Sequence, residues 1–131
     1  MKKFGLSKEE RIKLKKLFAL VYANGTIVYS RNHNLKAIYY QENCIKPKVK
    51  VAFAVYKKLG NAVWRNRVKR LLREAYRQNK QGLISEAINK KKFVLIVFSP
   101  NNFNQKKNKK IFLKNILPDF IELMNQIKSK I

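Results

Sequence analysis

Hydrophobic and polar positions along this chain change period several times, and each change predicts an element. Leu14, Leu17, Phe18 and Val21 recur at helical spacing, so a first helix ends near Tyr22-Ala23, stopped by Asn24-Gly25. Ahead of it, Ser7-Lys8-Glu9-Glu10 fits a capping box and is a candidate start. Strand-type segments follow at 26–29, 35–41 and 48–56. In the last, Val49, Val51, Phe53 and Val55 share one face, and Lys50, Ala52, Ala54 and Tyr56 share the other. A helix over 62–78 comes next, then a shorter one over 82–89. The continuous apolar run 93–98, with its β-branched residues, predicts a buried strand. A C-terminal helix starts from about residue 106 and is interrupted near Leu117-Pro118. The order α-β-β-β-α-(α)-β-α describes an α+β domain with helices packed on a sheet. With no internal repeat and no Gly/Ser linker, residues 1–131 read as a single domain.

The helix over 62–78 carries the most information. Gly60-Asn61 supplies a turn and a cap, because an asparagine oxygen accepts from an orphan helix N–H. Trp64, Val68, Leu71, Leu72 and Ala75 form one apolar stripe. At about 100° per residue, Asn66, Lys69, Arg70, Arg73 and Arg77 fall on the opposite side, flanked by Arg65 and Arg67. Guanidinium forks match phosphate oxygens bidentately, so this face is a candidate phosphate-binding surface.

Composition extends that reading to the whole chain. Lys and Arg number 31 against 7 acids, a net charge of +24 in 131 residues. Such self-repulsion opposes compaction and calls for a polyanion. A disordered basic tail is excluded by the 46% apolar content held in helix and strand periods, which leaves a folded, nucleic-acid-binding domain. Cys44 is the only cysteine, so an intramolecular disulfide and a Cys-rich zinc site are both ruled out. No apolar run approaches a membrane span, and none follows Met1-Lys2-Lys3 as a signal sequence requires. The expected location is cytoplasmic. The Lys-rich segments 46–50, 90–92 and 106–110 are solvated connections or extra phosphate contacts. His33 is the only histidine, which excludes a two-histidine acid–base ribonuclease mechanism. The few carboxylates show no convincing metal spacing for a protein-based metallonuclease.

Lys57, Lys58, Gly60, Ala62, Val63, Arg65, Asn66, Lys69 and Arg70 stand at the spacing Lys-Lys-x-Gly-x-Ala-Val-x-Arg-Asn-x-x-Lys-Arg. This motif, long and preceded by a strand, resembles the protein subunit of bacterial ribonuclease P. The resemblance implies a two-layer α/β sandwich, ribosomal protein S5 domain 2-like, with a left-handed β-α-β crossover. It implies a role in removing the 5′ leader of precursor tRNA, with catalysis by the RNA subunit. Magnesium would be held mainly by the RNA subunit and substrate, with no cofactor bound by the protein itself. The protein would be monomeric, one copy per RNA. A structural RNA-binding protein, such as a ribosomal protein of the same fold, is the alternative class.

Two surfaces follow from the resemblance. Lys57, Lys58, Asn61, Arg65, Asn66, Arg67, Lys69, Arg70 and Arg73 would contact the catalytic RNA and the nearby leader end. Phe18 and Tyr22, beside Lys15 on the first helix, would line a cleft for the single-stranded leader. Ala52 and Ala54 on the facing strand would let RNA approach closely, and Lys36 and Tyr40 would complete the face. Family members often carry a small residue where this chain has Tyr56, which either narrows the cleft or adds a stacking platform. Leu14 stands where a polar helix cap is common. Trp64 belongs to the apolar stripe, and Glu74 is an intrahelical charge partner for the arginines around it.

Overall fold

The computed structural model describes residues 6–131; the basic start Met1-Lys2-Lys3 lies outside the described residues. Three helices and four strands alternate as α1 (Lys15–Asn24), β1 (Thr26–Tyr29), β2 (Leu35–Asn43), β3 (Lys48–Phe53), α2 (Ala62–Lys90), β4 (Lys92–Pro100) and α3 (Leu113–Lys130). The strands form one sheet in the order β1-β2-β4-β3. β1 and β4 run antiparallel to β2, whereas β3 and β4 are parallel. A parallel pair cannot be joined by a tight turn, and α2 is the connection between them.

Side-chain alternation sorts the sheet into two faces. Val94, Ile96 and Phe98 of β4 pack with α2 and α3 in the larger core. Leu95 and Val97, pointing the other way, pack with Ile12, Val21 and the partly buried side of α1. The sheet with α2 and α3 forms the two-layer body, and α1 lies across part of the second face. Tyr39, on the larger-core face, is buried, so Lys36, Ile38 and Tyr40 share the α1 face. That settles the register of β2.

Four expectations need correction. The segments 62–78 and 82–89 are one helix of 29 residues. Gly82 does not break it, because Tyr76, Leu83 and Ala87 continue the buried stripe against the rest of the core. α3 begins at Leu113, after a non-helical stretch, and runs through Pro118 without interruption. The proline sacrifices one backbone bond near the exposed start, while Ile116, Phe120, Leu123, Met124 and Ile127 are buried. Strand pairing in β3 ends at Phe53 rather than at residue 56, with one further backbone bond from Ala54 N–H to Phe98 O at 2.9 Å.

The capping box is real but starts no long helix. Ser7 N–H donates to Glu10 Oε1 at 3.1 Å around a single 3-10 turn, Lys8–Glu10. The chain then extends, and Ile12 N–H donates to Val51 O at 3.0 Å. This bridge covers part of the open edge of β3, a row of backbone groups that would otherwise invite another strand. α1 starts at Lys15 with Leu14 as its cap residue, and Leu14 makes no side-chain cap. No helix among the described residues is long and apolar enough to cross a membrane.

Candidate RNA-binding surfaces

The basic face is assembled where β3 runs out. Tyr56 leads into a 3-10 turn, Lys57–Leu59, and Gly60 connects this to α2. Asn61 is the N-cap: its Oδ1 accepts from Trp64 N–H at 2.9 Å, the role read from sequence. Trp64, Val68, Leu72 and Ala75 are buried, and Leu71 is partly so. Their burial fixes the rotation of α2 and turns the cations outward. Asn66, Arg67 and Arg70 are exposed, as are Lys57 and Lys58, while Arg65, Lys69 and Arg73 are half-buried. Val63, within the motif, is 78% exposed; helical spacing puts it beside the cations and off the stripe.

Several arginines are also held by the protein. Arg65 Nε donates to Gly60 O at 3.1 Å and Arg67 Nε to Ile111 O at 2.9 Å. The Arg67 guanidinium lies 5.4 Å from the Phe112 ring centre, and that of Arg73 lies 6.0 Å from Phe53. A guanidinium fixed through one N–H still presents others in a planar fork, so anchoring limits the directions in which that fork can point. Arg77 pairs with Glu74 at 2.6 Å, as the sequence suggested for Glu74. The Arg77 hydrogen bond holds the Glu74 carboxyl below its ordinary value despite some burial.

The second surface lies on the α1 face. Lys15, Phe18 and Tyr22 sit at helical spacing on one side of α1. Lys15 is exposed, Phe18 is half-buried in the smaller apolar cluster, and Tyr22 is 50% exposed. Tyr22, Ile27, Lys36, Ile38, Tyr56 and Ser99 line a pocket of about 170 Å³. Lys36 Nζ lies 5.4 Å from the Tyr56 ring centre. Burial and the neighbouring Tyr56 hydroxyl together push the Tyr22 phenol upward. Ala52, Ala54 and Tyr40 pack with Phe18 in the cluster beneath α1. The Tyr40 hydroxyl donates to Glu42 at 2.7 Å, and that bond raises its pKa. Gly25 lets α1 sit close on β2, since a Cβ there would fall 2.4 Å from Val21 O and 2.7 Å from Ile38 Cγ1.

Sequence reading missed one neighbour of this pocket. Tyr29 pairs with Lys36 across β1 and β2, and its ring stacks on His33 at 4.9 Å between centres and 20° between planes. His33 lies in the β1–β2 connection with φ of 62°. Nothing in the linear pattern signals a stack made by such a turn.

Four of the seven carboxylates lie in ion pairs, Glu74 among them. Glu10 meets Lys80 at 2.7 Å, Glu86 meets Lys90 at 3.3 Å and Glu122 meets Arg31 at 3.3 Å. Among the described residues, no three His, Cys, Asp or Glu side chains group as metal ligands. Cys44 is a free thiol whose Sγ lies 3.3 Å from Lys46 O.

Known proteins match this chain in family and in fold. The family model for ribonuclease P matches residues 6–118. The ribonuclease P protein component of Macrococcus caseolyticus is 35% identical over 96 residues, 73% of this chain and 76% of that protein. That of Bacillus velezensis is 34% identical over 95 residues, 72% of this chain and 75% of that protein. In fold, the RNase P protein of Thermotoga maritima superposes with a TM-score of 0.69 at 20% identity, covering 89% of this chain and 96% of that one. The Staphylococcus aureus RNase P protein gives 0.67 at 23% identity, covering 92% and 97%. With the motif residues brought together on one capped helix and the turn before it, and the match spanning most of the chain, this protein belongs to the ribonuclease P protein family.

Proposed function

We propose that this chain is the protein subunit of a ribonuclease P ribonucleoprotein. It binds the catalytic RNA through Lys57, Lys58 and the basic face of α2, and the 5′ leader of precursor tRNA through the α1-side pocket. The RNA subunit carries out magnesium-dependent removal of the leader, and the protein contributes binding and positioning. The observation that carries this reading is the fixed orientation of α2. Its buried stripe and its Asn61 cap hold Arg65, Asn66, Lys69, Arg70 and Arg73 along one side of a single helix.

Each surface has a physical task. Cations along a helix replace counterions condensed on RNA, which contributes affinity without reading sequence. Aromatic rings stack on unpaired bases of any identity, for about 1–3 kcal/mol per base. Tyr22 and Tyr56 are the exposed rings at the pocket, and Lys36 supplies a cation beside them. Neutralising phosphates near the leader also lowers the demand for dissolved magnesium. The ions themselves are held mainly by RNA and substrate, and one protein monomer serves one RNA.

Reconstitution tests the proposal. The purified protein alone should leave precursor tRNA intact. Protein with its cognate RNA subunit should release the leader at low millimolar magnesium, where the RNA alone is slow. Leader release by protein freed of RNA, or no effect of protein on the magnesium requirement, refutes it.

A further inference from the structure

The connection between β4 and α3 carries Lys106, Lys107, Lys109 and Lys110, of which all four are exposed. It is tied to the start of α2 at three levels. Gln105 N–H donates to Leu59 O at 2.7 Å, and its Oε1 accepts from Asn61 N–H at 2.8 Å. Asn108 O accepts from Trp64 Nε1 at 2.9 Å. Ile111 O accepts from Arg67 Nε at 2.9 Å. Phe103 and Ile111 are buried on either side of the lysines.

The connection also holds its own shape. Asn104 Oδ1 accepts from Lys107 N–H at 2.9 Å, and Asn108 N–H donates to Asn104 O at 2.7 Å. Gly60 makes the approach possible: a Cβ there would lie 2.7 Å from the Trp64 ring and 2.9 Å from Gln105 Cβ.

Neither 101–112 nor 57–73 contains an acidic residue. Two basic segments are therefore held side by side without any ion pair, through hydrogen bonds to backbone and amide oxygens, one of them from the Arg67 guanidinium, and through buried apolar anchors. Their mutual repulsion opposes this arrangement, and an anion lying across both would relieve it.

We propose that Lys106, Lys107, Lys109 and Lys110 form a second edge of the α2 phosphate-binding surface, and that the occupant is the RNA subunit. This rests on the reading of α2 given above. The connection is fastened to the turn and first helical turns that carry Lys57, Lys58 and Arg65, so one RNA backbone can lie across both. The proposed leader pocket is built instead from α1, β1, β2, β4 and Tyr56.

The test uses the full chain and the RNA-subunit transcript, with affinity measured across a salt series. The variant K106Q/K107Q/K109Q/K110Q keeps polar side chains, one atom shorter, and removes charge. It should weaken RNA-subunit binding by about ten-fold or more at 0.15 M salt, with a slope shallower by roughly three units, since each phosphate left unneutralised removes about 0.7–0.9. Q105A keeps every lysine but removes one of the four bonds of the tether, the acceptor for Asn61 N–H, and should weaken RNA-subunit binding less than the lysine variant does. In holoenzyme assembled at saturating protein, the preference for precursor over mature tRNA should stay as in the wild type. R65A/R70A is the control. Wild-type affinity and slope in the lysine variant, with R65A/R70A weakened, overturns the proposal and leaves the α2 assignment standing. No change in either variant removes both. A lysine variant that loses precursor preference but keeps RNA-subunit affinity assigns the loop to the substrate and overturns the proposal.

Discussion

The ammonium of Lys36 lies 5.4 Å from the centre of the Tyr56 ring, so a cation from β2 rests against an aromatic from the segment that joins β3 to α2. A cation–π contact of this kind contributes about 0.5–1 kcal/mol at an exposed site. It holds Tyr56 at the mouth of the pocket opposite Tyr22. Under the proposed function this ring would serve as a stacking platform for an unpaired base.

The two aromatic positions on α1 should separate cleanly on mutation. Tyr22→Ala removes an exposed ring, so melting temperature should hardly move while affinity for leader-bearing precursor falls by about 1–3 kcal/mol. Phe18→Ala removes a ring half-embedded in the Val21–Leu95–Val97 cluster, and should cost roughly 2 kcal/mol of stability, less than a fully buried Phe. Calorimetry with precursor and mature tRNA binding decides this. Equal losses for both tRNAs in Tyr22→Ala would exclude a leader contact.

Arg65→Ala and Arg70→Ala should both weaken assembly with the RNA subunit, by about 1.5–3 kcal/mol where a charged hydrogen bond is removed. Each should make the salt dependence shallower by roughly one unit. They should differ in stability: Arg70 is exposed, whereas Arg65 also braces Gly60 O. Chemical denaturation should register a small loss for Arg65→Ala alone. Unaltered assembly in both would refute the face.

Asn61 can be tested as a cap separately from any RNA contact. Asn61→Ala should cost about 1 kcal/mol and fray the turn that precedes Arg65. Asn61→Ser restores a capping oxygen but not the amide. Recovery of RNA affinity by serine means that the cap matters; continued loss with full stability means that the amide touches RNA.

Acid should weaken the fold through Glu10. Burial acts to raise its carboxyl, but the Lys80 and Ser7 hydrogen bonds outweigh that and leave it below its ordinary value. A lowered folded-state pKa stabilises above the unfolded value and is lost as pH falls through the folded one. Melting temperature should therefore be flat near neutrality and fall below about pH 4.5. Glu10→Gln should lower stability at neutral pH by about 1 kcal/mol or less and flatten part of the acid limb. An identical acid limb in the variant would exclude this pair as a contributor.

Elements whose own residues determine them were legible in the sequence. β4 is a dense apolar run, and the α2 stripe is unambiguous through Ala75. What failed depended on contacts between distant segments. Gly82 reads as a break until α3 is seen to pack along the same helix. Ile12 reads as helix until β3 offers it an unpaired carbonyl. The cations of the basic face could be named from spacing alone, whereas the pocket could not. Its lining combines α1, β1, β2, β4 and Tyr56, and only the sheet order β1-β2-β4-β3 brings these together. The same holds for residues 101–112, where a lysine-rich stretch looks solvated until Trp64 and Arg67 are found bonded to its backbone.

Tyr56 and Lys57 are consecutive residues. One lines the α1-side pocket, and the other opens the turn that leads into the basic face of α2. No hinge separates them: β3 is paired to β4 on one side, and the cap of α2 follows within a few residues on the other. In the proposed holoenzyme the protein therefore acts as a caliper. It sets a fixed offset between the point where a leader emerges and the RNA that cuts it, so the cleavage position would be measured from the tRNA body, whatever the leader's sequence or length.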